Sequence, residues 1–189
     1  MKTALFAAAL MACAAMPALA DTTVHPDPPH TSASFSVKHL TLTTVSGTIG
    51  IKSATLVLGA DNTIVSAEAT LDLTTIDTHE PDRDADLRSD HWFNVAADPL
   101  MTFKSTKVER AAGGAMSVEG NLAFHGVTRP VTLAVKYEGS VKDDRGRTHL
   151  GYSATATIDR TDWNLGPMFP PVIVGNEVTI ALQLEAIEG

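Results

Sequence analysis

The sequence predicts an all-β domain, an antiparallel barrel of about eight strands with one short helical insert. Three observations predict it. Apolar and polar residues alternate with a period of two in run after run, turn-forming residues separate the runs, and no run is followed by a long 3.6-residue periodicity. The last point excludes parallel βαβ units, which need a crossover helix after each strand.

The elements follow in order. Residues 1–20 read as a removable leader. Lys2 supplies a minimal positive start, Thr3 to Ala15 are apolar or small, Pro17 breaks any helix, and Ala18-Leu19-Ala20 is an A-x-A cleavage site before Asp21. The alternative is a lipoprotein acylated at Cys13, because Leu10-Met11-Ala12-Cys13 resembles a lipobox. The remaining 169 residues suit a single domain with one core. Next comes His25-Pro26-Asp27-Pro28-Pro29, which is neither helix nor central strand on local chemistry, so a regular first strand is not expected there.

From Ser32 the alternation is strict. Phe35, Val37 and His39 share one face; Ala67, Ala69, Leu71 and Leu73 share another. The pattern recurs in Met101-Phe103-Ser105, Val118-Gly120-Leu122-Phe124, Val131-Leu133-Val135-Tyr137, Ala154-Ala156-Ile158 and Val178-Ile180-Leu182-Leu184. Val45–Ile51 and Ala54–Leu58 form one bent strand or two. Gly59-Ala60-Asp61-Asn62, Gly113-Gly114, Asp143-Asp144-Arg145-Gly146 and Val174-Gly175-Asn176 read as turns. The insert from Asp77 to Phe93 is polar, has Asp77 and Glu80 at capping-box spacing, and has Pro81 in its first turn. It is read as a short helix packed by Leu87, Trp92 and Phe93 against one end of the sheet. Many antiparallel strands without evident edge protection favour closure into a barrel. Such a barrel either fills itself with side chains or holds one small ligand. Small inward residues (Ala67, Ala69, Gly120, Ala154, Ala156) either leave room inside or relieve crowding where the barrel tapers.

Composition excludes several functions. Lys2 is the only charge in the leader, so its removal takes the net charge from −8 to −9. That charge argues against nucleic acid and anionic headgroups as partners. The single cysteine, Cys13, lies in the leader, which leaves no thiol for disulfides, zinc–thiolate sites or nucleophilic catalysis. Standard nucleophile-elbow, zincin, Walker and dinucleotide motifs are absent. Asp82-Arg83-Asp84-Ala85-Asp86 starts like a calcium loop but has Leu87 and Phe93 where glycine and glutamate belong. His25, His30 and His39 are a weak metal trio, since two of them flank proline-rich chain, so no metal ligand is assigned. His39, sharing a face with Phe35 and Val37, is either a core histidine or a polar group at a cavity mouth. Arg160 continues the inward series of Ala154, Ala156 and Ile158. It therefore sits at the rim, or pairs with Asp162, Asp84 or Asp86 as a clamp, or meets a ligand headgroup.

These residues form an ordered set. Phe35-x-Val37-x-His39, Ile76-Asp77-Thr78, Arg83-Asp84-x-x-Leu87, Phe93-Asn94, Pro99-x-x-x-Phe103-x-Ser105, Gly120-x-Leu122, Gly126-Val127-Thr128-Arg129-Pro130-Val131 and Asp159-Arg160-x-Asp162 occur in sequence. Together they resemble the YceI-like family of periplasmic polyisoprenoid-binding proteins over most of residues 30–188. The resemblance implies a lipocalin-like barrel whose interior takes an isoprenoid chain, polyprenyl or quinone-type, with no cofactor. On strand parity, tunnel residues would be Phe35, Val37, Ile49, Ala69, Leu71, Phe103, Leu122, Phe124, Leu133 and Ile158, with His39 and Arg160 nearer a mouth. Two departures from the family pattern, the prolines of residues 26–29 and the loop from Leu165 to Val174, bear on tunnel access.

Three functions are therefore expected to compete. The first is a non-enzymatic periplasmic carrier of a long apolar amphiphile. The second is a solid barrel acting as a stress-related or interaction protein. The third is a hydrolytic enzyme using His39 as base beside Asp84 or Arg160. Monomer and dimer stay open.

Overall fold

The computed structural model describes residues 21–188. The leader, its cleavage after Ala20 and the alternative acylation site at Cys13 lie outside the described residues. Nine strands appear in chain order: β1 (Thr22–Pro26), β2 (Ser32–His39), β3 (Thr43–Leu58), β4 (Ile64–Asp77), β5 (Leu100–Arg110), β6 (Ala115–Phe124), β7 (Val127–Lys142), β8 (Thr148–Asp159) and β9 (Val174–Glu188). One helix, α1 (Pro81–Arg88), lies between β4 and β5.

Every pairing is antiparallel, and the sheet closes: β2 bonds β9, β9 bonds β8, and so on round to β4, β3 and back to β2. The barrel thus has eight positions, as expected. β1 adds no ninth. It pairs with the far half of β3 (Thr22 opposite Leu58, Val24 opposite Leu56) and with the end of β9 (His25 opposite Ile187). β2 occupies the same slot further along, with Phe35 opposite Gly47 of β3 and Ile180 of β9. The prolines of residues 26–29 therefore interrupt the first strand instead of abolishing it, which corrects the sequence expectation. Pro28–His30 form a single 3-10 turn, and the Asp27 amide still donates to the Glu185 carbonyl at 2.6 Å. A proline is harmless at a break because the turn needs no ladder donor there.

Other expectations shift in detail. Val45–Ile51 and Ala54–Leu58 belong to one strand, and an irregularity between Ile51 and Ser53 switches the inward parity from odd to even. Val174, Gly175 and Asn176, read as a turn, begin β9, because Val174 pairs with His39 across the sheet. The helix starts at Pro81 with Glu80 as its N-cap, whose carboxylate accepts from the Asp82 amide. Asp77 stays in the sheet opposite Thr48, so it is not available as a cap.

The two ends of the barrel differ. The connections at residues 59–63, 111–114 and 143–147 close one end as short hairpins. That end is packed solid by Leu58, Ile64, Val118, Leu150, Tyr152 and Ala186, all nearly inaccessible. The Tyr152 hydroxyl donates to the Asn62 carbonyl and the Asn62 side-chain amide to the Tyr137 hydroxyl, each at 2.9 Å, so the buried polar tips are satisfied. The opposite end carries the longer connections, with α1 and residues 160–173.

Gly120 shows how one small inward position is used. A Cβ built there would lie 2.4 Å from Cζ of Phe103 and 2.7 Å from the Lys104 carbonyl oxygen. The ring of Phe103 fills the space that the missing side chain leaves, so Gly120 gives room to an aromatic and not to a ligand. Gly120→Ala is accordingly expected to cost about 1–3 kcal/mol by overpacking. Equilibrium urea unfolding measures the loss, and an unchanged midpoint would contradict this packing.

Candidate functional site

Two cavities run inside the barrel. The first, with about 780 Å³ of unfilled space including open solvent, is lined by Phe35, Val37 and Ile49 from β2 and β3, by Phe124, Ile158 and Ile180, and by Leu87, Trp92 and Phe93 from the insert. The second, about 900 Å³ on the same measure, is lined by Ala54, Ala67, Ala69, Phe103, Leu133 and Ala154 among others. Six residues line both: Ala33, Leu71, Met101, Leu122, Ile180 and Leu182. The cavities thus meet about a common waist. Arg160 and Ser34 are the polar residues on the wall of the first, and Glu68 on that of the second. Glu68 points its carboxylate outward to Lys104, at 2.7 Å.

The strands explain this wall. Inward positions recur at every second residue, and the sequence places mostly aliphatic side chains or alanine there on β2, β4, β7, β8 and β9, with Phe35, Tyr137 and Tyr152 as the aromatic members. Several of these inward residues (Phe35, Ala69, Leu71, Leu133, Ile158, Ile180 and Leu182) are only partly buried although they face the interior. Their residual exposure is to the cavity. Water gains nothing from such a wall, because a buried water needs two or more polar partners.

Eleven of the twelve residues proposed from sequence lie on these cavities. Phe35, Val37, Ile49, Phe124, Ile158 and Arg160 line the first, Ala69, Phe103 and Leu133 the second, and Leu71 and Leu122 both. His39 does not. It is exposed at the end of β2 and lines neither cavity; the register of β2 against β9 shifts between Val37 and His39, which ends the simple alternation there. Its place among the lining residues is corrected accordingly. Ala33, Met101, Val178, Ile180 and Leu182 also line the cavities and were legible from the alternation. Leu165 comes from an aperiodic loop and Val174 from the segment read as a turn, so neither carried such a signal.

Arg160 is 2% exposed, and among the described residues no carboxylate lies within ion-pair distance of it. Its five N–H donors go to five backbone carbonyls: Nε to Gly175 at 3.1 Å, Nη1 to Leu165 and Gly166 at 2.6 and 2.9 Å, and Nη2 to Phe169 and Val174 at 2.6 and 3.0 Å. The pairing with Asp162, Asp84 or Asp86 is corrected accordingly, while the residue does clamp the barrel end directly after β8. The guanidinium also lies 5.9 Å over the ring of Trp92, which stacks on Phe169 at 5.2 Å. Burial lowers the Arg160 pKa, but a guanidinium stays charged at neutral pH. Arg160 therefore holds the loop of residues 165–175 across the barrel end and has no donor left for a headgroup.

A second polar web holds the insert. Asp84 accepts from the Thr78 hydroxyl at 2.6 Å and the Thr78 amide at 2.8 Å, while Arg83 donates to the Thr78 hydroxyl and carbonyl. Asp86 accepts from Nε1 of Trp92 at 2.9 Å. Two of the three acidic residues of the calcium-like run, Asp84 and Asp86, are thus committed to separate partners. The bonds from Thr78 hold the Asp84 carboxyl below its ordinary value of 3.8. A depressed folded-state pKa contributes stability that is complete above the unfolded value and lost as pH falls through the folded one. Asp84→Asn is therefore expected to cost about 1.5–3 kcal/mol at neutral pH. Its deficit relative to the parent protein should shrink as the pH falls below the ordinary carboxyl value of 3.8. Urea midpoints measured across that range check both, and a deficit independent of pH would contradict the assignment.

Comparison with known proteins places this barrel. A sequence model of the YceI-like domain matches residues 25–186. The chain belongs to the YceI-like family. Among relatives, it is 31% identical over 160 residues to Protein YceI of Salmonella newport, covering 84% of this chain and 82% of that one. It is 29% identical over 184 residues to a UPF0312 protein of Vibrio parahaemolyticus, covering 95% and 97%. The YceI-like fold recurs in the crystal structure of Burkholderia cenocepacia BcnA (TM-score 0.72, 21% identity, 85% of this chain and 98% of that chain). It recurs also in a structure described as a polyisoprenoid binding domain from Saccharophagus degradans (TM-score 0.60, 16% identity, 86% and 97%).

Proposed function

We propose that this YceI-like protein is a periplasmic binding or carrier protein for a long isoprenoid lipid, polyprenyl or quinone-type, held inside the barrel without catalysis. The observation that carries the reading is the pair of joined cavities, whose walls are apolar and whose one charged inward group has every donor engaged. Such a wall rewards a thread-like apolar chain. Ten chain carbons at about 0.8 kcal/mol each give roughly 8 kcal/mol before ordering costs. The description of the Saccharophagus degradans neighbour supports the ligand class, and the leader supports the compartment.

Trp92 gives the test a reporter, since its ring lines the first cavity. Titrating the purified protein with a quinone that carries an isoprenoid tail should quench tryptophan fluorescence saturably at one ligand per chain. The headgroup alone, without its tail, should not. Equal quenching by tailed and tailless quinone would overturn the reading.

A further inference from the structure

We propose that the joint between β1 and β2 holds a divalent transition-metal ion on the outside of the barrel, with Asp27, His30 and Glu185 as ligands and His149 beside them. Asp27, His30 and Glu185 each offer one ligand atom within 4.8 Å of the others. Nδ1 of His30 lies 2.6 Å from Oδ2 of Asp27 and 3.9 Å from Oε1 of Glu185. Nδ1 of His149 lies 2.7 Å from that same Glu185 oxygen, which places a second imidazole at the edge of the trio.

Chemistry and rigidity argue for this site together. Two imidazole nitrogens with two carboxylates suit zinc, nickel or copper, whereas calcium and magnesium prefer oxygen alone. Pro28 and Pro29 stand between Asp27 and His30 and fix the 3-10 turn, so both ligands arrive ordered. Glu185 sits in β9, and its backbone carbonyl accepts from the Asp27 amide at 2.6 Å, tying strand to turn. Nε2 of His149 meets Oδ2 of Asp143 at 3.2 Å, the carboxylate–histidine arrangement that orients a metal-binding ring. The trio of His25, His30 and His39, weak on sequence grounds, does not assemble: His25 turns its Nδ1 to the Ala54 carbonyl, and His39 lies on the part of β2 beside the opposite connections. His30 stands alone of the three, and its partners were hidden because Glu185 and His149 are more than a hundred residues further along.

Isothermal titration of tag-free, chelator-stripped protein with zinc chloride tests the assignment. One zinc per chain should bind, and calcium chloride under the same conditions should give no saturable heat. His30→Ala and Glu185→Gln should each weaken zinc binding about tenfold or more. His91→Ala, on the insert, should leave it unchanged, and all three variants should melt cooperatively. No saturable zinc heat, or a His30→Ala variant that binds zinc like the parent, would overturn the proposal. Quinone binding is read separately by Trp92, so failure of either test leaves the other standing.

Discussion

Arg160→Ala is expected to lower the unfolding free energy by about 3–5 kcal/mol, because several buried carbonyls lose their donor at about 1–3 kcal/mol each before the loop relaxes. For a domain of this size that corresponds to a fall of roughly 10 °C in melting temperature. The reason lies in the acceptors. Deleting the guanidinium takes a donor from the backbone carbonyls of Leu165, Gly166, Phe169, Val174 and Gly175 at once, of which Gly166 keeps the Phe169 amide at 3.0 Å. It also removes the cation from the ring of Trp92, itself a wall of the first cavity. Arg160→Lys should rescue little, because an ammonium with three donors lacks the planar fork that reaches carbonyls on both sides. Differential scanning calorimetry of the two variants checks this. A melting temperature within about 2 °C of the parent for Arg160→Ala would contradict the clamp.

The second large effect concerns binding, not stability. Ala69→Trp should abolish uptake of a prenyl chain while leaving a cooperative melt. Ala69 faces the second cavity, opposite Phe103 on β5 and Ala54 on β3, and the indole would occupy that space. Overpacking is mild where a void accepts the added volume. Loss of at least a hundredfold in affinity is expected, since the removed contacts are most of the chain's apolar burial. Unchanged uptake would mean that Ala69 does not face the bound ligand.

How much of this was legible in the sequence depends on the physical signal involved. Strand parity needed only local alternation, so Phe35, Val37, Ala69, Leu71, Leu122 and Ile158 could be placed inward before any coordinates. The insert was legible from its polarity and Pro81, although its cap was misplaced by three residues because Asp77 remained in the strand. His39 failed because the register against β9 shifts between Val37 and His39, and local alternation does not reveal a shift set by the partner strand. Arg160 was recognisable as anomalous, yet its partners are carbonyls of an aperiodic loop, and a carbonyl has no residue type to read. The same limit hid the role of Gly120. A missing side chain signals space, but only the ring of Phe103 reveals that the space is filled.

Whether the barrel interior holds an isoprenoid chain is decided by native mass spectrometry of protein purified from its own compartment. A discrete added mass is expected that survives gentle transfer, extracts into organic solvent as a prenyl lipid, and is missing from the Ala69→Trp variant. A bare protein mass that takes up neither added quinone nor polyprenol would contradict it.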